Sequence, residues 1–557
     1  MASRSLPIIV TKPMLQGTPE YEAKRLPLFA AIAENIPEEW YLPQELIDNP
    51  PTDVSNIPRT CGLLSAEELE ITESHDATSL AEAIAARKFT AVTVIKAFIK
   101  RAAIAHQLVC CLTQFFPKDA LEQAAKLDEH LAKTGQTVGP LHGVPVSIKE
   151  HMPIAGQNSS YGELSTTFSD EKDCLIVSIL RKAGAVFYCK TNQPQAIMHM
   201  ESSSHFGRTL NPHNIHLSCG GSSGGEGALI GMKGSVLGIG SDIGGSIRAP
   251  AAFCGIYGWK PTSNLLPMRD MLRGAMPAEL NVLACTGPLG RSLRDMDLLT
   301  KIVVDTEPYL EDPKLIPTSW KGLQTPLPGR PLKIGIIEND GFIEPQPPVK
   351  RAVAWLRKLL SDPKHKDLVE VKDFRQYKAA DAFDKARRMF LPDGGAGVLA
   401  AIEASGEPVL PLTRWFIPEG SKMKNAVEVS ELRFERDTFR IEYAASWNAQ
   451  DVDVVIGPCH VGPATEHDTA RFWTYTSLWN LVDHPGLVFP TPIKTEASEK
   501  YADEYKPLSD ECRMVKQAWD EGNFEGAPIC LQINARKYHD NQLFGALAIL
   551  KGILDLP

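Results

Sequence analysis

The 557-residue chain is 43% apolar and 23% charged, with a net charge of −10 and a pI near 5.8. No Lys/Arg run is present to neutralise phosphates, so a nucleic-acid surface is excluded, and the ordinary globular composition excludes an extended low-complexity chain. The 11 cysteines show no CxxC or zinc-type spacing, which points to reduced core residues and not to a disulfide framework.

The first residues, MASRSLPIIVTKPMLQG, hold only a short apolar patch, too short for a signal-peptide core or a membrane span. The expectation is a soluble, cytoplasmic protein. Residues 18–60 read as an amphipathic helical arm, with Tyr21, Leu28, Phe29, Ile32 and Ile36 at helical spacing ahead of a proline-rich stretch. Acidic residues interrupt its polar face, so it is expected to wrap on the main body and not to lie on a membrane. Residues 1–60 are therefore taken as an N-terminal arm and 61–557 as one large domain.

From Glu67 the periodicity is helical through the Ala-rich SLAEAIAARKFTAVTVIKAFIKRAAIAHQ. VPVSI then predicts a strand ending at Lys149, DCLIVSILRKAG a helix closed by Gly184, and AVFYCK a second strand. This βαβ pattern implies a sheet with helical cover, an α/β fold. Beyond about residue 265 the pattern is less regular. It shows proline-rich connectors at 307–331, a strand at LKIGIIE, long helices around 347–361 and 423–447, and a strand at DVVIGP, so a C-terminal insertion over about 310–490 is expected.

The chemistry concentrates between Ser218 and Thr262, where GGSSGG and DIGGSIR each set serines among glycines. Glycine lets backbone approach a substrate closely, so a serine bedded in glycine suits a nucleophile beside exposed N–H donors. In DIGGSIR the N–H groups of Ile243, Gly244, Gly245 and Ser246 can converge on a developing oxyanion, with Ser246 as nucleophile. Removing one such donor typically costs about 2.7–4 kcal/mol. Neither motif contains a histidine. Lys149, in an apolar strand where desolvation favours the neutral amine, is a candidate base. Lys190, Lys233 and Lys260 compete for that role, and spacing alone does not choose among them.

GGSSGGEGALIG and GSDIGGSIRAPAAFCGIYGWKPT, with HGVPVSIKE and CKTNQP upstream, resemble the amidase signature family, particularly its acetamidase and fatty acid amide hydrolase branch. The resemblance covers a signature core of about 139–290, with fainter echoes at 478–490 and 526–533. It implies a central mixed sheet covered by helices on both faces, no cofactor and no metal. It also implies a Ser–cisSer–Lys relay, with Lys149 as neutral base, Ser222 after a cis peptide as proton carrier and Ser246 as the acylated nucleophile. Ser223, Asp242 and Arg248 are assigned to supporting the loops, a carboxylate–guanidinium pair crossing the turn.

GGSSGG also fits the nucleophile-elbow pattern at Ser222 or Ser223, for which His460, His467, His484 or His539 would be the base. NPHNIHLSC before it reads as a polar loop where an elbow requires a hydrophobic strand. Gly238, Gly240 and Gly244 miss the dinucleotide spacing by one residue. SxxK at Ser169, Ser361 and Ser421 lacks companion motifs, and His213 and His216 lack a third metal ligand. Phe472, Trp473, Tyr475 and Trp479, with Trp415 and Phe416, are either core or substrate wall. The expected partner is a small aliphatic or aromatic amide. A homodimer, a glutaminase subunit of an amidotransferase and a long-chain fatty amide hydrolase are the alternatives left open, although Lys149-Glu150 departs from the Lys-Asp usual in the glutaminases.

Overall fold

The computed structural model describes residues 5–271, 281–326 and 329–557. Residues 272–280 of the expected signature core and 327–328 of the expected connector lie outside the described residues.

The architecture is built on an 11-stranded sheet. In chain order its strands are β1 (Leu112–Phe115), β2 (Pro145–Lys149), β3 (Val186–Thr191), β4 (Leu237–Asp242), β5 (Tyr257–Lys260) and β6 (Cys285–Gly290). They continue with β7 (Leu332–Ile336), β8 (Val369–Asp373), β9 (Val454–Pro458), β10 (Gly486–Lys494) and β11 (Pro528–Asn534). Their spatial order is β1-β3-β2-β4-β6-β5-β10-β11-β9-β7-β8. The sheet is mixed: β3, β2 and β4 run parallel, as do β9, β7 and β8, while β6, β5, β10 and β11 between them pair antiparallel.

Helices used below are α1 (Pro19–Glu34), α2 (Ala91–Val109), α3 (Leu175–Lys182), α4 (Gly224–Gly231), α5 (Arg248–Cys254), α6 (Ala379–Phe390), α7 (Ala426–Gln450) and α8 (Thr474–Leu481). The predicted strand–helix–strand unit is β2–α3–β3, and Gly184 follows α3 at φ +97°. Alternation along β3 sends Phe187 into one apolar cluster and Val186 and Tyr188 into another, so both faces of the sheet are covered. On the second face lies α2, buried over nearly its whole circumference. Thr90 caps its start by accepting from Thr93 N–H, and Cys110 ends it in the left-handed region.

Helix α1 begins at Thr18, whose hydroxyl accepts from Tyr21 N–H. The segment around it is tied to the body through Ile9 N–H to Gln107 O (2.9 Å), Thr18 N–H to Gly406 O (2.9 Å) and Arg25 Nε to His205 O (3.0 Å). One local reading changes: Asn214–Ser218, expected as loop, is a short strand paired with Leu210–Asn211. It stays outside the main sheet, because Asn211 and Asn214 side chains bind backbone carbonyls there and hold it as a separate hairpin. All 11 cysteines are free.

Candidate active site

Strands β2 and β4 pair in parallel with Ser147 opposite Gly238 and Ile148 opposite Ile239, so the end of β2 sits beside the middle of β4. Over β4 lies the start of α4. A Cβ on Gly240 would stand 2.6 Å from Ser223 Oγ, and its absence lets the GGSSGG loop rest directly on the strand. Beyond β4 the chain turns through Ile243–Ile247 into α5, and Ser223 N–H donates to Ser246 O at 3.0 Å. Two motifs separated in sequence thus become one surface.

Lys149, fully buried at the end of β2, donates to Ser222 Oγ at 2.6 Å and to Ser241 Oγ at 3.1 Å. No carboxylate forms an ion pair with it among the described residues. Burial therefore pushes its pKa down to about 7, against a partial upward pull from Asp242 and Glu226. The Gly221–Ser222 peptide is cis. The competing lysines are otherwise engaged. Lys190 binds Ser159 Oγ and Asn158 O, Lys260 binds the carbonyls of Pro261 and His484, and Lys233 lies in a half-buried left-handed turn.

The turn after β4 is organised by Asp242. Its carboxylate accepts from the N–H groups of Gly245 (2.8 Å), Ile247 (3.1 Å) and Arg248 (3.4 Å), and from Asn480 Nδ2 (2.8 Å). It also pairs with the fully buried Arg248 guanidinium at 3.1 Å, which holds its own pKa well below the usual carboxylate range despite burial. Arg248 in turn binds Thr476 O and Asn480 Oδ1. Thr476 Oγ1 donates to Gly244 O at 2.7 Å, so the Gly244–Gly245 peptide is held at both ends. Gly245 has φ +130°, a conformation reserved for glycine.

This differs from the sequence expectation at one position. Gly245 N–H is turned toward Asp242 and is not free, whereas the N–H groups of Ile243, Gly244 and Ser246 have no acceptor among the described residues. Ser246 is 9% exposed, and its hydroxyl likewise makes no hydrogen bond among the described residues. Sequence reading missed Ser241, Thr476 and Asn480. The last two lie in RFWTYTSLWN, where the aromatic residues drew attention and the interleaved hydroxyl and amide carried the only signal.

The amidase family model matches residues 93–544. The chain belongs to the amidase family. A Schizosaccharomyces pombe protein, C550.07, is 43% identical over 520 residues, covering 92% of this chain and 95% of its own. The acetamidase of Emericella nidulans is 36% identical over 529 residues, covering 92% and 94%. Among solved structures, a fatty acid amide hydrolase superposes with a TM-score of 0.88 at 33% identity, covering 97% of this chain and 95% of that one. The protein is thus an amide-hydrolysing α/β enzyme of the amidase signature type.

The late histidines of this amidase bind neither serine motif. His460 packs edge-on against Phe253, His467 meets Glu201 Oε1 at 3.1 Å, His484 stacks on Trp479, and His539 binds Lys537 O. His213 binds Cys254 O, and His216 is exposed. The aromatic cluster divides. Tyr475 is anchored through its hydroxyl to Ile343 O at 2.6 Å, and Trp479 packs against Tyr443 and Trp447 on α7. Trp473 instead abuts the turn: its Cζ3 lies 3.0 Å from where a Gly244 Cβ would be, and its ring stacks on Phe390 and Phe416. Phe472, Trp415 and Phe416 line a cavity of about 660 Å³.

Proposed function

We propose that this amidase cleaves small aliphatic or aromatic carboxylic acid amides through an acyl-enzyme on Ser246. The observation that carries the reading is the 2.6 Å contact between Lys149 Nζ and Ser222 Oγ, with no histidine or carboxylate hydrogen-bonded to the side chains of Lys149, Ser222 or Ser246 among the described residues. A lysine with pKa near 7 is largely neutral above that pH and can accept a proton from Ser222. Ser222 then takes the proton of Ser246 as Ser246 Oγ attacks the carbonyl carbon. Because the Ser246 hydroxyl makes no hydrogen bond among the described residues, that transfer is completed once substrate fills the turn.

Attack leaves an oxyanion, for which the unengaged N–H groups of Ile243, Gly244 and Ser246 are the donors, while Gly245 serves by fixing the turn through Asp242. Ser222 returns the proton to the departing nitrogen, the C–N bond breaks, and ammonia or amine leaves. Water then attacks the ester, passing its proton back along the same relay, and the acid departs with Ser246 restored. Asp242, Arg248 and Ser223 position the loops and do not touch the reacting atoms.

The small-amide preference is supported by the acetamidase relative, and the likeness to a fatty acid amide hydrolase keeps long-chain amides in view. Hydrolysis of acetamide, benzamide and oleamide by the enzyme and by Ser246→Ala separates these cases. Turnover of acetamide and benzamide, with fluorophosphonate labelling of Ser246 lost in the variant, is expected. Activity confined to oleamide would overturn the small-substrate preference, and a fully active Ser246→Ala the mechanism.

A further inference from the structure

The 660 Å³ cavity has an unusual lining for a chain with net charge −10. It combines the aromatic rings of Phe383, Trp415 and Phe416 with the cations Arg387, Lys422, Lys424 and Arg471. None of these four cations forms an ion pair among the described residues. Arg388, also in the lining, does so with Glu435 and Asp384. Arg387 Cζ lies over the Trp415 ring, 4.2 Å from its centroid, and its Nη2 reaches only Trp415 O, at 3.4 Å, among the described residues. Arg471 Nε is buried without a hydrogen-bond partner. Two carboxylates, Asp384 and Glu511, also line the cavity, so its five cationic side chains keep a net positive excess that favours an incoming anion, and a planar guanidinium fork selects carboxylate.

The aromatic wall requires that this anion bring an apolar body, and the volume suits a small organic molecule. Trp473 joins the aromatic wall of the cavity to the turn that holds Ser246. Trp473, against Gly244 on one side, meets Phe383, Trp415 and Phe416 at centroid distances of 6.1, 6.1 and 5.8 Å on the other. We propose that this cavity binds the carboxylate end of an amphipathic organic acid. Two sources share that chemistry: an acid released by amide hydrolysis, or a substrate amide carrying its own distal carboxylate. The second rests on the acyl-transfer reading above; binding of the acid does not.

Calorimetry with 4-phenylbutyrate and with the neutral 4-phenylbutanol tests the site directly. The acid is expected to bind at least about tenfold more tightly, and Arg387→Gln combined with Arg471→Gln to erase that difference. Lys422→Gln with Lys424→Gln, nearer the surface, should weaken it partially and serves if the first pair fails to fold. Enzyme blocked at Ser246 by a fluorophosphonate should still bind the acid. Equal binding of acid and alcohol, indifference to both variant pairs, or loss of binding on blocking Ser246 would each overturn the proposal. The source is read from kcat/KM. A preference for adipic monoamide over hexanamide that collapses in the arginine variant indicates the substrate. Inhibition of hexanamide hydrolysis by 4-phenylbutyrate without that preference indicates the product. An enzyme that binds the acid but fails to label at Ser246 would refute the acyl-enzyme and leave the cavity standing.

Discussion

Lys149 ends β2 and Lys190 is the penultimate residue of its parallel neighbour β3, and both side chains are fully buried. Their surroundings divide them. Lys190 donates to Ser159 Oγ and Asn158 O, both at 2.6 Å, and faces Asp170 at 3.4 Å, with Glu150 adding further negative potential. Burial lowers its pKa while these carboxylates pull it back up. Lys149 meets only hydroxyls at contact distance, and its more distant carboxylates leave it near 7. A buried amine in contact with a carboxylate holds its proton and braces the fold; one in contact with hydroxyls alone can give and take it.

The comparison is broken most severely by exchanging each amine for an apolar side chain of similar length. Lys149→Met removes the base and is expected to lower kcat at least about 10⁴-fold, by analogy with other relay residues. It should leave the melting temperature unchanged or slightly raised, since no ion pair is lost. Lys190→Met strands Asp170 and Glu150 without their cation and should cost about 3–5 kcal/mol of stability, with the folded fraction still turning over substrate. Thermal unfolding and kcat on both variants check this crossover. An active Lys149→Met, or a stable and inactive Lys190→Met, would reverse the assigned roles.

Both lysines were visible in the sequence as strand ends, and nothing local ranked them. What ranked them was tertiary: Asp170 lies in a hairpin beyond β2, and Ser222 and Ser241 arrive from separate motifs. Strands β2, β3, β7 and β9 were legible because apolar residues run continuously between turn signals, as expected for parallel strands covered on both faces. Helices Pro347–Leu360 and α7 fell close to their expected bounds, whereas α6 was not anticipated. The oxyanion turn was half legible. Its glycines announced an unusual backbone, but the direction of each N–H depends on Asp242, Thr476 and Asn480, and Thr476 bonds Gly244 from 232 positions away.

Thr476 therefore offers a sharper test of how the turn is held. Thr476→Val keeps the shape and removes the O–H that binds Gly244 O, leaving a buried carbonyl unsatisfied at a cost of about 1–3 kcal/mol. With the Gly244–Gly245 peptide secured only through Asp242, the donors should lose alignment. The expected result is a fall in kcat of about tenfold with little change in KM, since the loss is felt where charge develops. An unchanged kcat would show that Asp242 alone fixes the turn.

The smallest effect concerns what sets the Lys149 pKa. Glu226, buried on α4, accepts Ser147 Oγ at 2.5 Å and Thr191 Oγ1 at 2.7 Å, one from each of the two lysine-bearing strands. Burial pushes its pKa up to about 7, the same range to which burial lowers Lys149, and each group's charge favours the charged form of the other. The sign is fixed by electrostatics: a charged Glu226 favours the ammonium form of Lys149 and holds the acidic limb of the rate profile at higher pH. Glu226→Gln removes that charge while keeping an acceptor for one hydroxyl, so neutral Lys149 becomes available at lower pH and the limb of kcat/KM moves acidward. Asp242, the stronger of the two carboxylate influences on Lys149, remains, so the shift is partial. A kcat/KM profile between about pH 5 and 9 reads it. A limb that stays fixed while Lys149→Met is inactive would mean that the Glu226 carboxylate is neutral in the working enzyme and that Asp242 alone offsets the burial of Lys149, and a limb that moves alkaline would refute its assignment to Lys149.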